Sequence, residues 1–401
     1  MNPYSSKSPF STSELMPQEE MLEMQQSRGD LFIGLPKETS YQEKRVCLTP
    51  DAGNALIANG HKVVVESGAG LQANFTDKDY SEAGGEITRD TSKVFACPMV
   101  LKVAPPTKEE LDMIKPQSIL ISALQLKTRD KSYFEILAKK RVTALAFEFI
   151  KDQFGGYSVV KALSEIAGTS SILIAAELLS NRSGGNGLML GNISGVPPAQ
   201  IVVLGAGTVG EFAAKGALGL GAGIKVFDSS ITKLRNLQNH VGRQLFTSTL
   251  QPKMLLKALR RADVVIGAVR GKNRAPIIVT EDMVKKMKKG AVIIDVSIDM
   301  GGCIETSEMT THDNPTVIKH DVIHYCVPNI PSRYSRTASL SISNIFTPYL
   351  LKIGEEGGLE PALRFDAGLR SGLYFYHGIL TNKSVGNWFD LNHRDPNLLI
   401  F

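Results

Sequence analysis

Ile201-Val-Val-Leu-Gly205-Ala-Gly207-Thr-Val-Gly210 is the stretch that decides the fold. An apolar run ends in G-x-G-x-x-G, and a helical run, Glu211 to Leu220, begins directly after it. Gly205 permits the tight turn, Gly207 lets backbone approach a pyrophosphate, and Gly210 lets helix and strand pack closely. The helix start, with Thr208 and Val209 in its first turn, offers unpaired N–H groups and a partial positive charge to phosphates. The next apolar run, Ile224–Phe227, ends in Asp228, 18 residues beyond Gly210. A carboxylate there accepts hydrogen bonds from a ribose diol and repels a 2′-phosphate, which favours NAD over NADP. Lys225 and Lys233 lie near it and soften that preference.

Outward from this segment, short apolar runs alternate with amphipathic ones. Upstream, Leu31–Leu35, Lys62–Glu66, Met99–Val103, Ser118–Ala123 and Thr143–Phe149 read as buried strands, with helical spacing in Pro50–Asn59, Lys108–Ile114 and Ser132–Lys140. A long helical stretch, Ser164 to Asn181, leads into the glycine-rich segment. Downstream, Ala262–Val269, Ala291–Val296 and Thr316–Val327 continue the strand series, and Ser332 to Thr381 reads as helical. Such alternation predicts an α/β fold of two doubly wound, Rossmann-like domains with parallel sheets and a ligand cleft between them. The expected division is an extension at 1–30, a substrate domain at 31–160 completed by 332–381, a dinucleotide domain at 161–331, and a tail at 382–401. In the extension, Ser13 is placed to cap a short helix carrying Leu15, Met21 and Met24.

Composition narrows the function classes. The 401 residues carry 45 Lys+Arg against 40 Asp+Glu, a net +5 too scattered for a nucleic-acid footprint. Hydrophobic residues at 43% and charged residues at 21% fit a globular core. Twelve of the 36 glycines fall between Gly184 and Gly223, which marks one backbone-rich site. The four cysteines form no C-x-x-C pair, so neither a zinc site nor a disulfide framework is expected. With no secretory h-region and no run near the roughly 18 residues of a membrane span, a cytoplasmic protein without membrane contact is expected.

Two cations stand where small anions are gripped. Arg45 ends a loop before a Thr-Pro-Asp helix start, where its guanidinium suits a carboxylate. Lys102 follows apolar Met99-Val-Leu101, where an unpaired charge would be costly. At the carboxyl ends of two later strands sit Val269 and the run Asp295-Val-Ser297-Ile298-Asp299, where open α/β sheets bind ligands. Asp295 reads as a buried acid satisfied by backbone, and Asp299, before Gly301-Gly302, reads as functional. His324 reads as structural.

Eight segments in order then resemble one family: P-K-E-x₄-E-x-R-V-x-L-T-P (36–50), H-K-V-V-V-E-x-G-A-G (61–70), D-K-D-Y-x-x-A-G-G (77–85), V-L-K-V (100–103), S-E-I-A-G (164–168), G-A-G-T-V-G (205–210), I-D-V-S-I-D-x-G-G-C-I-E (294–305) and Y-C-V-P-N-I-P (325–331). Over residues 31–380 the chain resembles the alanine dehydrogenase family, which shares its fold with the NAD-binding subunit of proton-pumping transhydrogenase. The resemblance implies NAD as cofactor, a small amino acid and its 2-oxo acid as substrates, and a homo-oligomer, typically a hexamer with room for the Leu398–Phe401 tail. It implies Arg45 and Lys102 as substrate-binding residues and Asp299 as the catalytic acid beside the nicotinamide. Ser164, Asp228, Val269, Val327 and Asn329 fall at its NAD-contacting positions. Where the family carries a catalytic histidine, this chain has Gln125, which hydrogen-bonds but cannot titrate. That substitution leaves other readings open: a transhydrogenase-like protein, a lysine- or saccharopine-type dehydrogenase, or an impaired NAD-binding homologue.

Overall fold

Residues 29–271 and 274–401 are described by the computed structural model of the chain, and they build two open sheets. The expected helix near Ser13 lies outside the described residues. The first sheet contains β1 (Phe32–Leu35), β2 (Lys62–Glu66), β3 (Glu86–Thr88), β4 (Met99–Leu101), β5 (Ile119–Ser122) and β6 (Thr143–Ala146). The second contains β7 (Gln200–Leu204), β8 (Gly223–Phe227), β9 (Phe246–Ser248), β10 (Val264–Gly267), β11 (Val292–Asp295), β12 (Thr316–Lys319) and β13 (Val322–Tyr325). A last hairpin, β14 (Leu373–Tyr376) and β15 (Ile379–Leu380), returns to the first sheet.

The strand orders are β3-β2-β1-β4-β5-β6-β14-β15 and β9-β8-β7-β10-β11-β13-β12. In each sheet the first six strands follow the doubly wound order, with the direction of winding reversing beside β1 or β7. Central strands such as β10 (VVIG) and β11 (VIID) are buried at every position, which is why they read as continuous apolar runs. The sheets are mixed, not wholly parallel as expected: β12 pairs antiparallel with β13, and β14 antiparallel with β6 and β15.

The expectation of helix throughout 332–381 is corrected in the same place. Ser335–Glu355 is helical, but the next helix stops at Phe365, where Asp366 caps a new one, Ala367–Ser371. His377 and Gly378, both with positive φ, then turn β14 into β15. The C-terminal segment packs on its own chain: Ile400 is buried in the first core, while Leu398 and Phe401 stay exposed.

The Ser158–Leu178 helix begins six residues before its expected start and packs against the Thr208–Leu220 helix. Among the described residues it alone is long and apolar enough to cross a membrane. Here its buried Ala167, Ile172, Ile174 and Ala175 join the second core. Gly168 makes the approach possible, since a Cβ there would lie 2.4 Å from the Val209 carbonyl oxygen and 2.9 Å from Phe212 Cβ.

This contact fixes the sign of one substitution. Helix propensity alone would make Gly168→Ala stabilising by about 1 kcal/mol. The backbone clash reverses that, and a net loss of about 2 kcal/mol is expected in urea unfolding. A gain in stability would contradict the close helix contact.

Candidate functional site

The three glycines after β7 are of two kinds. Gly205 sits at φ 108, and a Cβ on it would lie 2.4 Å from the Ala268 carbonyl oxygen. A Cβ on Gly210 would lie 1.9 Å from the Gly205 carbonyl oxygen. Both are glycine because protein crowds them. Gly207 differs: a Cβ there would meet no protein atom within 4 Å, so the space it leaves belongs to whatever approaches the turn. Thr208 and Val209 follow, half-buried, as the first turn of a 13-residue helix. Asp228 at the end of β8 is buried, and its carboxylate accepts Ala206 N–H at 2.7 Å and Ser230 N–H at 2.8 Å. The acid is therefore built into the glycine turn. Lys233 is exposed one turn further, its N–H capped by Ser230 Oγ. An open face at Gly207, a helix N-terminus and an acid at the next strand end fit a dinucleotide.

The later strands close the other side. Val269 N–H donates to Ser297 Oγ at 2.9 Å, fixing one loop end against the next, and Ile298 is buried beneath them. Asp295 accepts from Ser297 N–H, Cys303 N–H and the Ser307 hydroxyl, the structural role its sequence position suggests. His324 likewise is buried, with Nε2 on the Thr306 hydroxyl at 2.8 Å. Ser164 is half-buried on the Ser158–Leu178 helix, and Val327 is buried beyond β13.

The two cations of the first sheet are buried and already paired. Arg45 Nε and Nη2 donate to the two Glu43 carboxylate oxygens, each at 2.6 Å. Burial opposes ionisation of Glu43, but Arg45 overturns it and holds the carboxyl below its ordinary range. Lys102 follows β4 directly, with Nζ 3.2 Å from Glu38 and 3.1 Å from Glu110. Burial works against its ammonium too, and the two carboxylates more than offset that.

Asn329 bridges the halves. Its side-chain amide donates to Glu43 Oε2 at 3.1 Å and its backbone N–H to Asp299 Oδ1 at 3.3 Å. It holds the left-handed conformation, φ 54. His312 N–H, donating to Gln42 Oε1, bridges in the same way, and Lys44 N–H donates to Ser332 Oγ beside it. Asp299 is open to water yet crowded by protein. Crowding raises its carboxyl above the ordinary value, while the Asn329 bond and the Arg45 charge pull the other way. Water at its exposed face damps that rise.

Gln125 lies on the opposite lip, exposed and left-handed at φ 48. Glu148 Oε1 holds this turn by accepting Leu124 N–H at 2.8 Å and Gln125 N–H at 3.2 Å. Two residues on, Lys127 Nζ lies 3.5 Å from Met300 Sδ, next to Asp299. The structure thus gathers Arg45, Asn329 and Asp299 through a chain of bonds in which Glu43 links the first two. The sequence pattern assigns no role to Glu38, Glu43, Glu110 or Glu148, although the first two lie in the P-K-E-x₄-E-x-R segment. Lys102 carried the signal for two of them, because a cation inside an apolar run requires buried acids.

Comparisons with known proteins agree over most of the chain. The family models described as alanine dehydrogenase/PNT match residues 34–168 (N-terminal domain) and 171–383 (C-terminal domain). The chain is similar to "Alanine dehydrogenase 2" of Staphylococcus aureus, 38% identical over 364 residues, covering 90% of this chain and 97% of the relative. Among solved structures it is similar to an L-alanine dehydrogenase, with TM-score 0.84 and 34% identity over 90% of this chain and 99% of the other. A transhydrogenase from Sinorhizobium meliloti shares the fold at TM-score 0.76 and 22% identity, over 88% of this chain and 99% of the other.

The Glu43–Arg45 pair yields a stability test. Glu43→Gln leaves a buried guanidinium without its counter-charge, at an expected cost of about 3–5 kcal/mol near neutral pH. Because the Glu43 carboxyl titrates below its ordinary range, its contribution is complete at neutral pH and fades as pH falls through that lowered value. Urea unfolding of both proteins should show the gap narrowing on acidification. A gap independent of pH would contradict the pairing.

Proposed function

The chain belongs to the alanine dehydrogenase/PNT family, and from that premise we propose that it oxidatively deaminates L-alanine to pyruvate and ammonia, reversibly and with NAD. The observation that supports this most is the bridge from Arg45 through Glu43 and Asn329 to Asp299, which sets a carboxylate grip beside a proton-transfer group. NAD, when bound, accepts the hydride from the substrate α-carbon. Gly205, Gly207, Thr208, Val209 and Gly210 hold its pyrophosphate and Asp228 its adenosine ribose. Ser164, Lys233, Val269, Ser297, Ile298, Val327 and Asn329 complete its walls.

Glu43 occupies only the Nε and Nη2 side of Arg45, so the rest of the fork serves the substrate carboxylate. Lys102 polarises the oxygen that becomes the pyruvate carbonyl. Asp299 takes a proton from water as it adds to the imine and returns one to the departing nitrogen. Gln125 positions water or amide groups without titrating. The substrate half spans 31–160 with 332–381 and the cofactor half 161–331. Exposed Met189, Ile193 and Val196 offer apolar surface for a homo-oligomer, a hexamer by family likeness. Four free, buried cysteines fit a cytoplasmic setting.

Initial rates of NADH formation at about pH 8–10, where free amine is present, should favour L-alanine over lysine-type amino acids, with pyruvate plus ammonia consuming NADH. No turnover with any of them, while NAD still raises the melting temperature, would sink the dehydrogenase reading. Asp299→Asn should lower kcat by about 10²–10⁴-fold while NAD binding persists. Gln125→His should raise the rate, and an unchanged rate would remove the assigned deficit.

A further inference from the structure

Two buried polar atoms stay unpaired where the two halves meet. Among the described residues, neither Gln42 Nε2 nor His312 Nε2 has a hydrogen-bond partner. Both belong to one contact. His312 N–H donates to Gln42 Oε1 at 3.1 Å, and beside it the Tyr41 hydroxyl donates to Asp313 Oδ2 at 3.3 Å. Gln42 is held from its other side as well, its carbonyl accepting the Ser332 hydroxyl at 2.7 Å. Its backbone is left-handed at φ 60, a conformation that a residue other than glycine keeps only where its surroundings impose it. The imidazole also faces the backbone of Asn329, the residue that donates to both Asp299 and Glu43. A buried polar atom without a partner is costly and calls for an explanation. These two are complementary: an amide nitrogen donates, and Nε2 of a neutral imidazole with its proton on Nδ1 accepts.

Resting on the dehydrogenase reading, we propose that Gln42 and His312 are a positioning pair: as substrate draws the halves together, the Gln42 amide donates to His312 Nε2, and the imidazole sets Asn329 and, through it, Asp299. The bond from His312 N–H to Gln42 Oε1 already seats the amide beside the ring, so the pairing needs a short approach and no change of partner. One end of the amide holds the 306–315 loop before closure, and the other end engages during it. The pairing requires a neutral ring, and the surroundings favour one. Burial opposes protonation most, and Lys44 from the Ser40–Lys44 turn and Arg333 from beyond β13 oppose it too. The Asn329 backbone and Asp313 on the same loop act in the other direction, and the balance holds the imidazole below the ordinary histidine range. Both residues act on the reaction through Asn329.

The test is a double-variant cycle read as kcat/KM for L-alanine with NAD. Gln42→Ala and His312→Ala should each lower it about 10-fold, and the double variant about 10-fold as well, because one shared bond is lost once. His312→Gln, whose amide oxygen can accept the same N–H, should recover most of the rate, which restored packing alone would not achieve. Amide hydrogen exchange gives a reading without turnover, using NAD with pyruvate, a pair in which both members are oxidised. Exchange in 306–315 should slow when pyruvate joins NAD in the natural chain and should not slow in Gln42→Ala. A loss of about 100-fold in the double variant, a His312→Gln rate no better than His312→Ala, or equal slowing in Gln42→Ala overturns this proposal alone. A natural chain that forms no NADH from L-alanine overturns the dehydrogenase reading and the pair's role in it together.

Discussion

A buried guanidinium sets the terms for the whole cleft. Arg45 cannot sit beneath the surface without Glu43, and Glu43 has a second commitment, to the Asn329 amide of the other half. Asn329 in turn donates its backbone N–H to Asp299. Breaking the pair would therefore do more than expose a charge: it would unfasten the substrate side from the cofactor side. The Ser335–Glu355 helix braces the same loop from below, where Ser339 and Ser343 hydroxyls accept the Val46 and Thr49 N–H groups. Polar bonds here serve position, and burial supplies their strength.

The cofactor half works by a different constraint, the approach of backbone to backbone. Gly205 and Gly210 are forced by protein contacts, while at Gly207 no protein atom opposes a Cβ. Asp228 ties its strand end to this turn through Ala206. The same carboxylate thus organises the glycine turn and the start of the next helix. In the proposed reaction the work divides by location, with carboxylate recognition and oxygen polarisation assigned to the first sheet and water activation to the second.

Much of this was legible in the residues. Strand, glycines, helix and acid appear in order between Ile201 and Asp228, because backbone geometry leaves glycine few substitutes there. The buried roles of Asp295 and His324 were equally readable from their strand positions. The β14–β15 hairpin was not, since a four-residue aromatic-rich strand and a two-residue one carry no clear alternation. Its signal was the His377-Gly378 turn. The acids around Lys102 were hidden for another reason: Glu38 and Glu110 are 72 positions apart and only the sheet brings them together. Asp366 ended a helix early by capping the next one, a local choice that helical spacing alone does not reveal.

Hydride transfer from alanine in a cleft built around Arg45 can be followed with L-alanine carrying deuterium on its α-carbon, mixed with the protein and NAD, and mass analysis of the nucleotide formed. One deuterium in the reduced nicotinamide and unlabelled pyruvate in equal amount are expected. NADH without deuterium, or pyruvate without NADH, would contradict that transfer.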